Sequence, residues 1–363
     1  MKKTFLLLAF LPFLSLAKIH TVDNTPGNGA MFSSLQTAIS SASSGDTIIV
    51  MRSLSSYGSI SIKKKLLIYS DGHHQASIFK DRKAQIEGLS IESGSDGSSV
   101  SGFYIVNTTV TIDAKNIVLT SNFFDFSRLV YQTGGDNSII EGNIFWGTGT
   151  SYFQLTLNNS SNNIIKNNWF SALQYSYYPY YGGSGFLDGG NSTNLFVNNL
   201  ISESNNGNSG QWFGGPLTIF KNSSMSIHNN IFWSNSSGRT SFDTLSSSAT
   251  FKNNITYSAN VNVKNLPGTN NINNTAPTFE TSFSGSNPPT MDFTYDLRLK
   301  SSSAGKNSGT DSTDIGPFGG GYYFSINGNV RSIPIFDDFY VVTPVVKRNG
   351  KLKIKLIARK PEN

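Results

Sequence analysis

Asn167-Asn168-Trp169-Phe170 and Asn198-Asn199-Leu200-Ile201 are two copies of one phrase: a polar run, an Asn, then an apolar pair. Upstream the phrase stands as Ser121-Asn122-Phe123-Phe124 and Gly142-Asn143-Ile144-Phe145. Downstream it stands as Asn229-Asn230-Ile231-Phe232 and Asn253-Asn254-Ile255-Thr256. The key Asn moves through 122, 143, 168, 199, 230 and 254, in steps of 21, 25, 31, 31 and 24. Periods of this size mark a solenoid.

Short runs such as Asn116-Ile117-Val118-Leu119, Ser138-Ile139-Ile140 and Asn163-Ile164-Ile165-Lys166 precede the phrase. They are β-branched and bounded by Gly, Ser and Asn, which reads as strand. Nothing between them carries a helical period. Coils without helices at this period predict an all-β, right-handed parallel β-helix. In that fold the repeated Asn has two jobs. Asn tolerates the left-handed conformation that a tight bend needs. Stacked Asn side chains also satisfy buried amides from coil to coil. The predicted ladder is Asn122, Asn143, Asn168, Asn199, Asn230 and Asn254, with Gly102 filling the same corner one coil earlier.

The chain opens Met1-Lys2-Lys3, then an apolar run from Phe5 to Leu14, then Ser15-Leu16-Ala17. This is the pattern of a signal peptide with a small-x-small cleavage site. The apolar run is too short to span a bilayer. The mature chain is expected to begin near Lys18, exported and soluble or held at a cell surface, or retained in a periplasm. There is no Cys, so neither a disulfide nor a lipidated cleavage-site Cys can form.

Phe32, Leu35, Ile39 and Ala42 fall on one helical face, Gly45 stops that helix, and Thr47-Ile48-Ile49-Val50 reads as strand. A short amphipathic helix running into Gly45-Asp46-Thr47-Ile48 resembles the opening of secreted proteins of the pectate-lyase-like β-helix superfamily. The resemblance implies a helix that plugs the open end of the first coil. Ser303-Ala304-Gly305-Lys306-Asn307-Ser308-Gly309, followed by Thr313-Asp314-Ile315-Gly316-Pro317-Phe318-Gly319-Gly320, is similar to the closing segment of bacterial β-helix-repeat proteins. The likeness runs from about Lys18 to Gly320 and concerns architecture, with a bacterial source implied. The predicted organisation is a leader at 1–17, a β-helix with its cap at 18–320, and a C-terminal β-hairpin module at 321–363. In the last, Asn349-Gly350 marks a turn. Lys351, Lys353 and Lys355 alternate with Leu352, Ile354 and Leu356, one charged face and one apolar. The basic face suits an acidic glycan or a cell-surface partner; lysines that keep an edge strand from pairing are the other reading.

Formal charge is +6; losing Lys2 and Lys3 with the leader leaves 26 basic against 22 acidic residues. That balance is too mild and diffuse to indicate nucleic acid. No later segment reads as a transmembrane helix. Charged residues are 14% of the chain, against roughly 25% in an average domain. Ser, Asn, Gly and Thr replace them, which suits a hydrogen-bonding partner such as a polysaccharide or other glycan.

The 31-residue steps carry extra loop length, and such insertions often build a binding face. One holds Tyr175, Tyr177, Tyr178 and Tyr181; the next holds Trp212 and Phe213. Tyr131, Tyr152 and Tyr177 all stand nine residues after a ladder Asn, which predicts a stacked aromatic flank. Flat rings with polar tips suit sugar faces. Packing over their own loops is the structural alternative.

The resemblance brings no catalytic motif with it. The acidic calcium cluster of β-helix lyases and the Asn-Thr-Asp, Asp-Asp and Gly-His-Gly signatures of β-helix glycosidases are absent from the coils. The loose charges are Asp188, Glu203, Arg239 and Asp243, which would serve a polysaccharide lyase or glycoside hydrolase. A lyase among these would bring calcium; otherwise no cofactor is expected. The four His, at 20, 73, 74 and 228, do not suggest a zinc site. Non-catalytic carbohydrate binding is the expected function, with the enzyme reading and a purely adhesive rod as its alternatives.

Overall fold

A computed structural model of the chain describes residues 17–27, 29–74, 81–132, 134–147, 155–158, 160–173, 187–188, 193–204, 217–221, 224–234, 242–244, 249–258, 265–283, 291–330, 335–341, 350–351 and 354–359. A full coil contributes three short strands, as in Val118–Thr120, Phe123–Asp125 and Arg128–Tyr131. Equivalent strands stack into three sheets, here the first, second and third faces. Among the described residues the first holds ten strands and the others eight each. Every strand pairing within these faces is parallel, from Ile19–Val22 on Thr47–Val50 to Ile231–Ser234 on Ile255–Ser258. The architecture is the parallel β-helix that the repeat predicts.

The interior follows from strand parity. Alternate residues point to opposite faces of a strand, so one residue in two turns into the coil. On the first face Ile48, Ile68, Val100, Leu119, Ile140, Ile165, Phe196, Ile227 and Phe251 stand in one register column. All of them are buried. On the second face Phe124, Phe145 and Phe170 stack with ring centroids 4.4 and 4.7 Å apart. That spacing is the distance between neighbouring strands. Each such buried side chain contributes roughly 1.5–3 kcal/mol of hydrophobic burial.

The expected helix spans Leu35–Ser41, with Ser34 accepting from the Thr37 amide as its N-cap. Leu35, Ala38 and Ile39 are buried, with Ala42 just beyond, against Val22, Ile48 and Ile60 of the first coils. It packs on the first strands and continues their core.

The ladder is present, and it runs one rung further than expected. The Asn122 Nδ2 donates to Asn143 Oδ1 at 3.1 Å, and the chain of bonds continues through Asn168, Asn199, Asn230 and Asn254. Asn254 then donates to Asn271 at 3.0 Å. Each rung's backbone N–H also donates to the next Oδ1, at 2.8–3.0 Å. The two expected jobs, however, fall on different residues. The left-handed conformation belongs to the residue before each rung: Ser121, Gly142, Asn167, Asn198, Asn229 and Asn253, with φ between 53° and 64°. Gly102, at φ 84°, aligns with Ser121, and the Phe103 amide donates to Asn122 Oδ1. Gly102 therefore fills the bend, one position from the ladder.

A second ladder stands at the other end of the first face. Ile117 N donates to Ser138 Oγ, Ser138 N to Asn163 Oδ1, and Asn163 N to Asn194 Oδ1, at 2.8–3.0 Å. Left-handed Asn116, Asn137 and Asn162 precede it.

The segment 303–330 does not simply close the rod. It turns back and runs along the outside of the left-handed corners. Asn253 donates to the Ser308 carbonyl at 2.8 Å, and Asn229 exchanges bonds with Thr310. Asn167 donates to the Pro317 and Gly319 carbonyls. The His74 amide donates to Asn327 at 3.1 Å. This strap, with Phe279, Leu297 and Leu299 from the residues before it, covers the outward residues of the second face: Phe123, Ile144, Trp169, Leu200, Ile231 and Ile255 share one cluster with these three and with Ile315 and Phe324 of the strap. Its contacts continue past Gly320 to Val330, which lies over Gly102.

Ile335–Val341 and Ile354–Arg359 pair antiparallel, the expected C-terminal hairpin. Among the described residues the pairing runs as far as Val341 opposite Ile354, and Asn349 lies outside the described residues.

Candidate functional site

The expected site residues separate by face. The backbone of Asp188 lies on the third face, in register with Thr156 and Lys221. Asp243 lies on the same face, beside Thr218. Strands one removed in a sheet are roughly 10 Å apart. Glu203 lies on the second face, between Ala172 and Ser234. Arg239, Tyr152, Tyr175, Tyr177, Tyr178, Tyr181, Trp212 and Phe213 lie outside the described residues.

Tyr131 is a correction. It ends the strand Arg128–Tyr131, whose burial alternates, and it is fully buried inside the coil. Burial pushes its phenol pKa well up. Strand parity turns this ring inward whatever its distance from the ladder Asn, so it offers no face to a ligand.

A different aromatic group reaches the surface. The third residue of each second-face strand points outward, and in three neighbouring coils the column reads Val106, Asp125 and Trp146. Tyr104 stands one strand back and diagonally across; its hydroxyl donates to Asp125 Oδ2. Burial raises the Tyr104 pKa, and the bonded Asp125 adds to this, so the phenol stays protonated. The ammonium of Lys83 sits 3.7 Å from the centre of the Tyr104 ring. Burial lowers the Lys83 pKa, and the charge of Asp125 opposes that. Such a cation over a ring face is attracted by its quadrupole.

Phe126 follows Asp125 at the corner between the second and third faces. It is 46% exposed. Its φ is +46°, a left-handed conformation that the neighbouring corners give to Asn107 and Gly147. A side chain there costs roughly 1–2 kcal/mol. The ring lies edge-on to Trp146 at 4.9 Å and covers the Gly147 backbone. Phe123, stacked with Tyr104 at 5.0 Å, joins the group to Phe293, which stacks on His74 at 3.7 Å. The result is a shelf of rings bounded by one cation and one carboxylate.

The sequence carried a signal for this shelf. In Asn122-Phe123-Phe124-Asp125-Phe126 and Asn143-Ile144-Phe145-Trp146, the third residue after the ladder Asn has outward parity. Reading parity rather than repeat phase finds Asp125 and Trp146. Among the described residues, no three His, Cys, Asp or Glu side chains converge as metal ligands, and no helix is long and apolar enough to cross a membrane.

The family model of a right handed beta helix region matches residues 54–207, which include the whole shelf except its Phe293–His74 partner Phe293. The match agrees with the stacked parallel strands, and the fold is a right-handed parallel β-helix. No curated protein matches the chain.

Proposed function

We propose that this protein is a secreted, non-catalytic polysaccharide-binding β-helix of pectate-lyase-like kind, and that the sugar chain lies on the Tyr104–Trp146–Phe126 shelf. Phe126 carries the reading: an exposed ring on a backbone conformation that costs stability. Outliers of this kind persist where the position serves a function. Edge and face presentation of the rings suits the C–H faces of a pyranose. The Lys83 ammonium over the Tyr104 ring supplies a donor for hydroxyls beside them.

The test is binding of the protein to a panel of neutral and acidic polysaccharides, comparing Phe126→Gly and Trp146→Ala with the parent. Each substitution is expected to weaken binding about tenfold, the loss of roughly 1.4 kcal/mol of contact. Phe126→Gly also relieves the left-handed strain, so its thermal stability should hold while its affinity falls. Unchanged affinity in both variants would overturn the assignment. The same panel, followed for new reducing ends and unsaturated products with and without calcium, tests the lyase or hydrolase reading built on Asp188, Glu203, Arg239 and Asp243.

A further inference from the structure

The first coil is tied to the start of the strand stack at one buried carboxylate. Asp46 is 2% exposed. Its Oδ1 accepts from the Lys18 backbone nitrogen at 2.8 Å. Its Oδ2 accepts from the Ser43 amide at 2.8 Å and lies 2.9 Å from His20 Nε2. The Lys18 carbonyl in turn accepts from the Thr47 amide at 2.8 Å, so Lys18 is already the first residue paired into the first face. Ala17 and the Lys18 side chain are exposed.

The residue bonded to Asp46 is also the one that the leader pattern places just after a small-x-small site. We propose that the Ala17–Lys18 bond is a processing site, and that the new α-ammonium of Lys18 docks on Asp46 and locks the first coil and its capping helix. The inference rests on the secretion reading above. A processing protease adds water across the bond. Ala17 leaves with the carboxylate, and Lys18 keeps an amine that takes up a proton at neutral pH, since an α-amino group titrates at about 8. An amide with one N–H becomes an ammonium with three, facing a buried carboxylate. Hydrogen bonds between charged groups are roughly twice as strong as neutral ones. The ligand of this site is thus the chain's own amino terminus, created by cleavage.

The experiment has three arms. Mass spectrometry of the exported full-length chain reads the mature terminus. Lys18 is expected; a different first residue after cleavage overturns the site and leaves secretion standing, and a chain that keeps its leader overturns both. Second, protein beginning at Lys18 is compared with protein that retains Ala17 ahead of it. The free terminus should shift the unfolding equilibrium about tenfold toward the folded state, and Asp46→Asn should erase the difference. Equal stability of the two termini, or a difference that survives Asp46→Asn, would overturn the lock while leaving processing intact. Third, because Asp46→Asn could itself disturb the coil, acylation at neutral pH gives an independent reading in the unaltered protein. The exposed Lys18 Nζ should react, and the Lys18 α-amine should be protected until the chain unfolds. Equal labelling of both amines would overturn the docking.

Discussion

Replacing Asn199 with Leu tests whether the ladder holds the rod or merely lines it. Leu is close to Asn in volume, so the change removes hydrogen bonds without opening a large cavity. Asn199 Oδ1 accepts from the Asn168 amide at 2.9 Å and from Asn168 Nδ2 at 3.0 Å. Its Nδ2 donates to the Ile165 carbonyl and to Asn230 Oδ1, both at 3.0 Å. The whole side chain is buried. The Asn168 N–H is stranded outright, while Asn168 Nδ2 keeps its bond to the Ile140 carbonyl. Stranding a buried donor costs about 1–3 kcal/mol, and each further lost bond about 1 kcal/mol net. A total of about 5 kcal/mol follows, which would lower Tm by about 7 °C in a chain of this size. Trp169, fully buried in the adjoining coil and bonded to Ser202 Oγ, reports the transition by its fluorescence. Urea titration should show the midpoint falling. The control is Asn137, exposed and left-handed at φ 57°. Asn137→Gly should leave stability unchanged, and Asn137→Ala should cost about 1 kcal/mol for the same backbone conformation. A loss under about 0.5 kcal/mol in Asn199→Leu, inside the range of ordinary surface changes, would refute the argument that the ladder bonds are needed.

Acid unfolding should involve Asp46. The Lys18 backbone N–H first, and His20 next, hold its carboxyl at about 2, below the ordinary 3.8. A depressed folded pKa adds stability that is complete above 3.8 and is lost as pH falls toward about 2. Asp46→Asn should therefore flatten the dependence of stability on pH in that window, and an unchanged slope would count against the pairing. Gly142→Ala should loosen the strap, since the added Cβ would lie 2.0 Å from the Tyr322 hydroxyl oxygen at a φ of +64°. Lower Tm and faster limited proteolysis within 303–330 are expected, with Tyr322→Phe restoring part of the loss; equal proteolysis rates would place the strap's hold elsewhere.

The ladder was legible because its Asn residues recur with a solenoid's period and each is followed by an apolar pair. The bend was misplaced by one residue for a specific reason. In the copies at 167–168, 198–199, 229–230 and 253–254 both positions are Asn, so residue type does not separate the bending Asn from the bonding one. The copies Ser121-Asn122 and Gly142-Asn143 do separate them, because a Gly before the rung is what a left-handed position selects. The second ladder hid because its rungs change type, from Ser138 to Asn163 and Asn194, while the geometry stays constant. The aromatic site was sought by distance from the ladder Asn, and long loops break that distance while strand parity survives them. That is why Tyr131 turned inward and Trp146 went unnoticed.

The strap shows why the doubled Asn is useful at all. A residue bent into the left-handed region throws its side chain away from the coil, while the next turns its own into the stack. Asn in the second place serves the neighbouring coil; Asn in the first serves whatever lies outside. Asn253, Asn229 and Asn167 use that outward amide to hold residues 308, 310, 317 and 319. Upstream, where the corner residues become Gly142, Ser121 and Gly102, no outward amide is offered. There Tyr322 lies close over Gly142 and Val330 over Gly102, and the His74 amide donates to the Asn327 carbonyl. Asn in the doubled copies is therefore a statement about the strap, and the switch to Gly and Ser marks where side-chain amides at the corner stop holding it.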